Sequence, residues 1–262
     1  MESARQDQAQ PAKRKWRLRW SLRFLIGGVT LTCILFAWLG SIWHMGQVHE
    51  EVGTRIESFS TSSAFLSHVQ WKLNETMSFQ SPGSGNILNA EVKHSPQWMR
   101  NTGTELFWQR IKSISLDSEL SQKKLAIAVN EISRLDRIES LRLTGNDFPE
   151  MYLAHIVTTI ELDKLEAAHA GIGDGPIAWL RNSKITDLNL SSTRFSNAAV
   201  DDLPITLRRL QLMDTQIDDV GAAKLARLKN LIYLNLRQTS VSREVIKQLD
   251  ENLPGCLIDW GK

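Results

Sequence analysis

Hydrophobic residues recur at fixed offsets from residue 111 onward. When the sequence is aligned on one anchor position per unit, successive anchors lie 27, 24, 23, 22 and 24 residues apart, and most units also carry aliphatic residues three before and two after the anchor. Positions two apart lie on one face of a strand, so each unit predicts a short strand with both residues turned inward. The anchors are Ile114, Leu141, Leu165, Leu188, Leu210 and Leu234.

The second half of each unit predicts a helix. Apolar residues occupy the positions 12 and 15 after the anchor from the second unit on, and residues three apart share one face of a helix. Ser196, Asp218 and Ser242 precede the last three of these segments and are good N-cap residues. A unit of strand, turn and helix cannot bury its own apolar face, so neighbouring units must stack. The sequence predicts an α/β solenoid over residues 109–262, with a parallel sheet on its concave side.

Both ends of such a stack need covering, because an open end exposes the core. At the C-terminal end, Ile258 falls 24 residues after Leu234, so Ile258 and Trp260 are predicted to close the core as a half-repeat, with Cys256 as a small buried residue. At the N-terminal end, aromatic residues of the preceding linker are predicted to form the cap, with a ligand role as the alternative. These residues are Trp98, Phe107 and Trp108.

Residues 24–43 form a second kind of pattern, a run of 20 residues without a charge. A helix of that length spans roughly 30 Å, the thickness of a bilayer core. Tryptophans flank the run on both sides, as at a membrane interface. The run exceeds a signal-peptide core of about 7–15 residues and no A-x-A cleavage site follows it, so an uncleaved anchor is predicted.

Charge then sets the orientation of this anchor. Residues 1–23 hold seven Lys or Arg against two Asp or Glu, whereas the rest of the chain holds 24 against 27. The positive-inside rule predicts a cytoplasmic tail of residues 1–23 and extracytoplasmic repeats on a single-pass protein of the cytoplasmic membrane. The acidic body argues against nucleic-acid binding. Residues 44–108 form a juxtamembrane linker, whose first part is able to continue the helix as far as Phe59 and whose HVQWKLN stretch (residues 68–74) is a weak strand signal.

Three units carry the clearest motif: ITDLNLSSTRFSN (residues 185–197), LRRLQLMDTQIDD (207–219) and LIYLNLRQTSVSR (231–243). They resemble the leucine-rich repeat family, pattern LxxLxLxx(N/T), and the resemblance covers about residues 109–262. It implies that the residue at the N/T position hydrogen-bonds turn backbone between coils. The whole layout, with WRLRWSLR (16–23) leading into the apolar run, is also similar to single-pass leucine-rich-repeat proteins of planctomycete bacteria. Polar residues stand at the N/T position in Asn146, Thr193, Thr215 and Thr239, whereas Ala170 lacks the required group.

Motifs for chemistry are missing from the sequence, so no catalytic residue, metal site or cofactor is predicted. HExxH and GxSxG do not occur, and two cysteines make no disulfide scaffold. The string AHAGIGDG (168–175) has the composition of a phosphate loop but neither GxGxxG nor GxxxxGK[ST]. Its glycines are interpreted as turn residues of the third coil.

What remains is the outward face of the strands, which is polar, mixed in sign and poor in aromatic residues. Arg and Tyr are enriched at binding hot spots, and they concentrate here in the last coils. We expect a non-catalytic module that binds protein, peptide or glycan. The alternative is a structural envelope protein that acts by self-association or by contact with a wall polymer. The candidate ligand surface comprises Arg142, Glu166, Asn189, Arg209, Gln211, Tyr233, Asn235 and Arg237.

Overall fold

The computed structural model describes residues 22–59, 67–71, 74–80, 87–93, 97–102, 104, 110–117, 120–144 and 148–261. The chain divides into two compact units, Met1–Ser41 and Ile42–Lys262. Phe107 and Trp108 of the linker, residues 81–86, Asn146 and residues 1–21 of the basic tail lie outside the described residues.

The first helix, α1, runs from Leu22 to Glu57 and contains the whole apolar run. It is long and apolar enough to cross a membrane, as the sequence predicts, although a signal sequence meets the same criterion. Its threonine hydroxyl groups are satisfied within the helix. Thr30 donates to the carbonyls of Ile26 and Gly27, and Thr32 donates to those of Gly28 and Val29, at 2.8–3.0 Å. Such bonding is what a lipid environment requires of a polar side chain.

The strands are β1 (Ser67–Trp71), β2 (Asn74–Gln80), β3 (Ile87–Lys93), β4 (Ile111–Asp117), β5 (Arg137–Thr144), β6 (Glu161–Glu166), β7 (Asp187–Asn189), β8 (Arg209–Gln211), β9 (Tyr233–Arg237) and β10 (Leu257–Gly261). The strands of the repeats, together with β1 of the linker, form an eight-stranded sheet in the order β1-β4-β5-β6-β7-β8-β9-β10. Strand β1 runs antiparallel to β4, and β4 to β10 are parallel. Two further strands, β2 and β3, make a separate antiparallel hairpin.

Helices return the chain from one parallel strand to the next, but they differ in length. The coils between Leu165 and Leu188 and between Leu188 and Leu210, which are the two shortest units, contain only a 3₁₀ turn. Here the prediction of a regular helix in every unit is wrong. The helices after α1 are α2 (Gln97–Thr102), α3 (Gln122–Ile132), α4 (Glu150–Thr159), α5 (Asp219–Leu225) and α6 (Arg243–Asn252), with 3₁₀ turns at Ala178–Leu180 and Val200–Asp202.

The anchor residues pair directly with one another across the sheet, so the predicted repeat register is confirmed. Leu188 faces Leu210 and Leu210 faces Leu234 in adjacent strands. All six anchors are at most 1% exposed, which places them in one continuous core between the sheet and the helices. Cys256 is buried in the last coil as predicted, and burial raises the pKa of its thiol.

Two of the three predicted helix caps are confirmed. The carboxylate of Asp218 accepts from the Val220 amide at 2.8 Å, and the Ser242 hydroxyl accepts from the Val245 amide at 3.4 Å. Ser196 caps no helix, since its coil has only a 3₁₀ turn, which begins further along the chain. Its hydroxyl donates instead to the Asp174 carbonyl of the preceding coil at 2.6 Å.

The polar residues at the N/T position bond differently from what the resemblance implies. Thr193, Thr215 and Thr239 each donate to the carbonyl three residues earlier in their own coil, at 2.7 Å. At this position the threonine hydroxyl therefore closes its own turn and does not join neighbouring coils. The bonds between coils at this level come from the backbone, such as the Ser192 amide donating to the Met213 carbonyl at 2.8 Å.

Side chains of the helical half also tie each coil to the next. Asp202, only 2% exposed, accepts from the Ile177 amide at 2.9 Å and pairs with the Arg181 guanidinium at 2.5 Å. Asn197 donates to the Asp218 carboxylate at 2.7 Å and accepts from the Asp218 amide at 3.2 Å. Gly221 lies so close to these two hydrogen bonds that a Cβ there would stand 2.1 Å from the Asn197 amide oxygen.

The N-terminal end of the core is covered by the second half of α1, with β1 extending the sheet edge. Val52 and Ile56 are fully buried and Phe59 nearly so, within the same core as the repeats. Trp98 is 62% exposed, so its predicted role as a cap is wrong. The weak strand signal is confirmed, because Ser67–Trp71 forms β1.

The C-terminal end is covered less well than predicted. Ile258 is only partly buried against the core, and Trp260 is 41% exposed although it stands in an inward column. Leu257 beside them is 66% exposed. No later strand lies over β10 among the described residues, so Trp260 packs against neighbours on one side only.

Candidate binding surface

The strand residues that point away from the helices form the open face of the sheet. Their rows follow the predicted alignment because the parallel strands pair residue for residue. Arg142, Glu166, Asn189, Gln211 and Asn235 are direct cross-strand neighbours in one row, which continues to Asp259. Lys164, Asp187, Arg209, Tyr233 and Leu257 form the parallel row beside it.

In the first coils, acidic and basic side chains of this face form ion pairs with one another. The Glu166 carboxylate accepts from the Arg142 guanidinium on one side and pairs with the Lys164 ammonium at 2.5 Å on the other. Burial raises the pKa of Glu166, but these two hydrogen bonds outweigh burial and hold the pKa below its usual value. Asp187 pairs with Arg209 at 3.0 Å. These side chains line a groove of about 530 Å³.

The two asparagines of the predicted surface support the strands. The side-chain oxygen of Asn189 accepts from the Ser191 amide, and that of Asn235 accepts from the Arg237 amide, both at 3.0 Å. Asn235 is only 8% exposed. Its inclusion in the ligand surface is therefore corrected: it fixes the backbone that carries Arg237. Gln211 between them is partly exposed.

The last coils present a different surface, the C-terminal patch, which we define as Arg208, Arg209, Ile232, Tyr233, Arg237 and Leu257. Arg209, Tyr233 and Leu257 are adjacent in one row, and Arg208 and Ile232 are exposed just before the first two. Arg237 is exposed four residues beyond Tyr233 on the same strand. Within the described part of the chain, Arg208 and Arg237 make no ion pair, and Asp259 is the only carboxylate on β8–β10.

Three members of this patch were missed by the sequence analysis, although a signal for them existed. Arg208 and Ile232 stand two residues before the anchors Leu210 and Leu234, and Leu257 stands one before Ile258, so the repeat spacing gives each of them a position beside the strands. Ile232 is 41% exposed, so it interrupts the polar face with an apolar side chain. Its exposure cannot be read from the pattern, because aliphatic residues are expected inside.

The turns that follow the strands carry a second periodic feature. His169, Ser192, Asp214 and Gln238 stand four residues after successive anchors, and each has a positive φ of 54–61°. The row brings a histidine, a serine and an aspartate side by side, but the serine lies between the other two and no hydrogen bond joins them within the described residues. This order does not match a catalytic triad, in which the histidine bridges serine and carboxylate.

The glycine-rich string beside His169 is a turn, as the sequence predicts. The Gly171 amide donates to the Phe148 carbonyl at 2.9 Å, and the Gly173 amide donates to the Glu150 carboxylate at 3.1 Å. These N–H groups are occupied within the protein, whereas a phosphate loop directs free N–H groups at its ligand. Among the described residues, no cluster of His, Cys, Asp and Glu has the arrangement of a metal site.

Comparison with known proteins finds a family profile that one of these coils matches. Residues 204–226, which contain β8 and α5, match the leucine rich repeat family profile. A leucine-rich-repeat protein of Leptospira interrogans is 19% identical with a TM-score of 0.35, over 51% of this chain and 39% of that one. An internalin of Listeria monocytogenes is 15% identical with a TM-score of 0.33, over 53% and 50%. No curated protein matches the chain. This chain therefore spans half or less of either solved structure, and neither bears on what it binds.

Proposed function

We propose that the repeats, one of which matches the leucine rich repeat profile, form a non-catalytic module that binds a protein or peptide partner through the open face of the sheet. The observation that carries this proposal is the C-terminal patch. There, two arginines without an ion-pair partner among the described residues and a third with one flank a partly exposed tyrosine and two exposed aliphatic side chains. Arg and Tyr dominate hot spots because they combine directional charge with flat contact area.

The composition of the patch defines the class of partner. An arginine fork binds a carboxylate through two parallel hydrogen bonds, and Ile232 and Leu257 gain by burying apolar surface. The partner is therefore a segment that combines acidic and apolar side chains. A glycan would need more aromatic and amide groups than this patch offers, so we favour protein or peptide among the predicted ligand classes.

The double variant Arg209→Ala, Arg237→Ala is expected to weaken partner binding by on the order of 2 kcal/mol, about 30-fold, if these arginines are hot spots. Both side chains are exposed, so folding should be unchanged. The measurement is recovery of crosslinked proteins with the full chain from its native membranes, quantified by mass spectrometry at matched salt. The control is Arg243→Ala, Lys247→Ala, which removes two exposed cations from α6. If the Arg209→Ala, Arg237→Ala variant recovers its partners as well as the wild type and the control do, the open face is excluded as the binding site.

We further propose that α1 anchors the repeats to the outer side of the cytoplasmic membrane. Support comes from the cations before the apolar run and from the internally satisfied threonines within it. A tether raises the effective concentration of the module near membrane-bound partners.

An alkaline phosphatase reporter, which is active only after export, should be active when it is fused after Lys262. The reason is the excess of Lys and Arg ahead of residue 24, which the positive-inside rule retains in the cytoplasm. The same reporter fused ahead of Met1 is the control and should be inactive. Activity of the N-terminal fusion alone would reverse the proposed topology.

A further inference from the structure

The imidazole of His49 is fully buried where α1 packs against the first repeat. Its Nδ1 accepts a hydrogen bond from the backbone N–H of Ile111 at 3.1 Å. A ring nitrogen that accepts carries no proton, so the proton of the neutral ring is on Nε2. Nε2 faces Oδ1 of Asp136 at 3.4 Å. The neutral ring therefore suits both of its neighbours.

The charged groups around this ring come from three elements. The Arg110 guanidinium, which donates to the Ile42 carbonyl at 3.0 Å, precedes β4, and Asp136 precedes β5. On the rim, Glu51 of α1 pairs with Arg134 at 2.7 Å, and Arg134 also pairs with Glu131 of α3. Further along the same edge, a small pocket is lined by Arg137, Glu139 and Asp163 in addition to Arg110 and Asp136.

We propose that His49 is an acid-sensitive latch, which holds the α1 segment from Ile42 to Glu57 on the repeats while its ring is neutral and releases the segment when the ring is protonated. Protonation places a second proton on Nδ1, where it points at the Ile111 N–H. Two donors then face each other in a buried site, and the cation lies beside Arg110. Release would uncover Val52, Ile56 and Phe59, together with the N-terminal end of the core that they cover.

The direction of the pH dependence follows from the surroundings of the ring. Burial and then the Arg110 charge lower the pKa of His49, and Asp136 opposes them only in part. The released ring has the ordinary pKa of about 6.5. Docking is thus fully stable above about pH 6.5 and is lost as the pH falls, by about tenfold per pH unit until the pKa of the docked ring is reached. The Glu51–Arg134 pair stays ionised over this range, since Arg134 lowers the pKa of Glu51.

The test is hydrogen exchange of the backbone amides of residues 47–57 in the full chain, held in a phospholipid nanodisc and corrected for intrinsic exchange. Between about pH 7.5 and 5.5, above the ordinary carboxylate range, the protection of this segment should fall in the wild type, by at most about tenfold. His49→Asn should remove the fall, because an asparagine oxygen can accept from Ile111 but cannot titrate. His44→Asn changes an exposed histidine on the same helix and should leave the fall in place.

Equal protection of the wild type at both pH values would overturn the proposal, as would an undiminished fall in His49→Asn. If His49→Asn is unprotected at every pH, the proposal is tested on the wild type instead, by measuring the tautomer and titration of His49 with ¹⁵N-histidine NMR. The signal lost in that variant should show a neutral Nε2–H tautomer at about pH 7 and should titrate below 6.5. An imidazolium signal at neutral pH would exclude the latch.

Discussion

Leu210→Asp is expected to unfold the coils around β8. The Leu210 side chain is fully buried and pairs on both sides with other anchor leucines, so a carboxylate there has no water and no partner. Burying an unpaired carboxylate costs several kcal/mol and loss of the leucine about 2 kcal/mol more, against a typical total stability of roughly 5–15 kcal/mol. Thermal unfolding of the detergent-solubilised full chain, followed by circular dichroism, measures the effect.

Gln211→Asp is the matched control, because it puts the same group one position along the same strand, on the open face. Its melting curve should stay close to that of the wild type. A cooperative transition at an unchanged temperature in Leu210→Asp would contradict the register of the sheet. Loss of structure in both variants would mean that β8 tolerates no carboxylate on either face.

Gly221→Val is expected to destabilise the repeats by about 3 kcal/mol, although valine is a better helix former than glycine. A Cβ at this position would stand 2.1 Å from the Asn197 amide oxygen and 3.1 Å from Cδ1 of Ile217. Asn197 cannot turn away freely, since it donates to and accepts from Asp218 in the next coil. The free energy of unfolding from urea titration gives the magnitude.

A second substitution identifies the cause of this loss. Asn197→Ala alone should cost about 1 kcal/mol for its two hydrogen bonds, and in the Gly221→Val background it should restore part of the lost stability. Strict additivity of the two changes would show that Asn197 is not the obstacle. A stabilised Gly221→Val variant would show that α5 can shift away from the preceding coil.

The solenoid itself could be predicted from sequence because the strand columns recur in six units and the helix columns in five. The anchors, the cross-strand rows and the caps at Asp218 and Ser242 all follow from spacing and residue type. The spacing does not show how long the helix between two consecutive strands is, or whether it is an α-helix or a 3₁₀ turn. The 23- and 22-residue coils contain only 3₁₀ turns, whereas the 24-residue coil after Leu210, one residue longer, contains α5. Only the structure shows that Ser196 bonds Asp174 and does not cap a helix.

The ends of the repeats and the binding surface were predicted less well, for a related reason. A cap has no repeating column, so nothing in the pattern distinguishes Trp98, which is exposed, from Val52 and Ile56, which do cover the core. On the open face, the alignment placed Arg209, Tyr233 and Arg237 correctly in their rows. It gave no indication that Asn235 bonds its own strand or that Ile232 is exposed, because both properties depend on neighbouring coils.

The bonds that join the coils also govern how the chain reaches its fold. The side-chain ties at Asp202 and at Asn197 link residues 21–25 positions apart, and every parallel strand pairs with the next one along the chain. Such short loops are quick to close, and topologies rich in local contacts fold fast. Folding can therefore begin at any adjacent pair of coils and spread in both directions, one coil at a time. The most regular coils, near Leu210, offer the strongest starting pair, and the last coil, with Trp260 partly open, gains least when it joins.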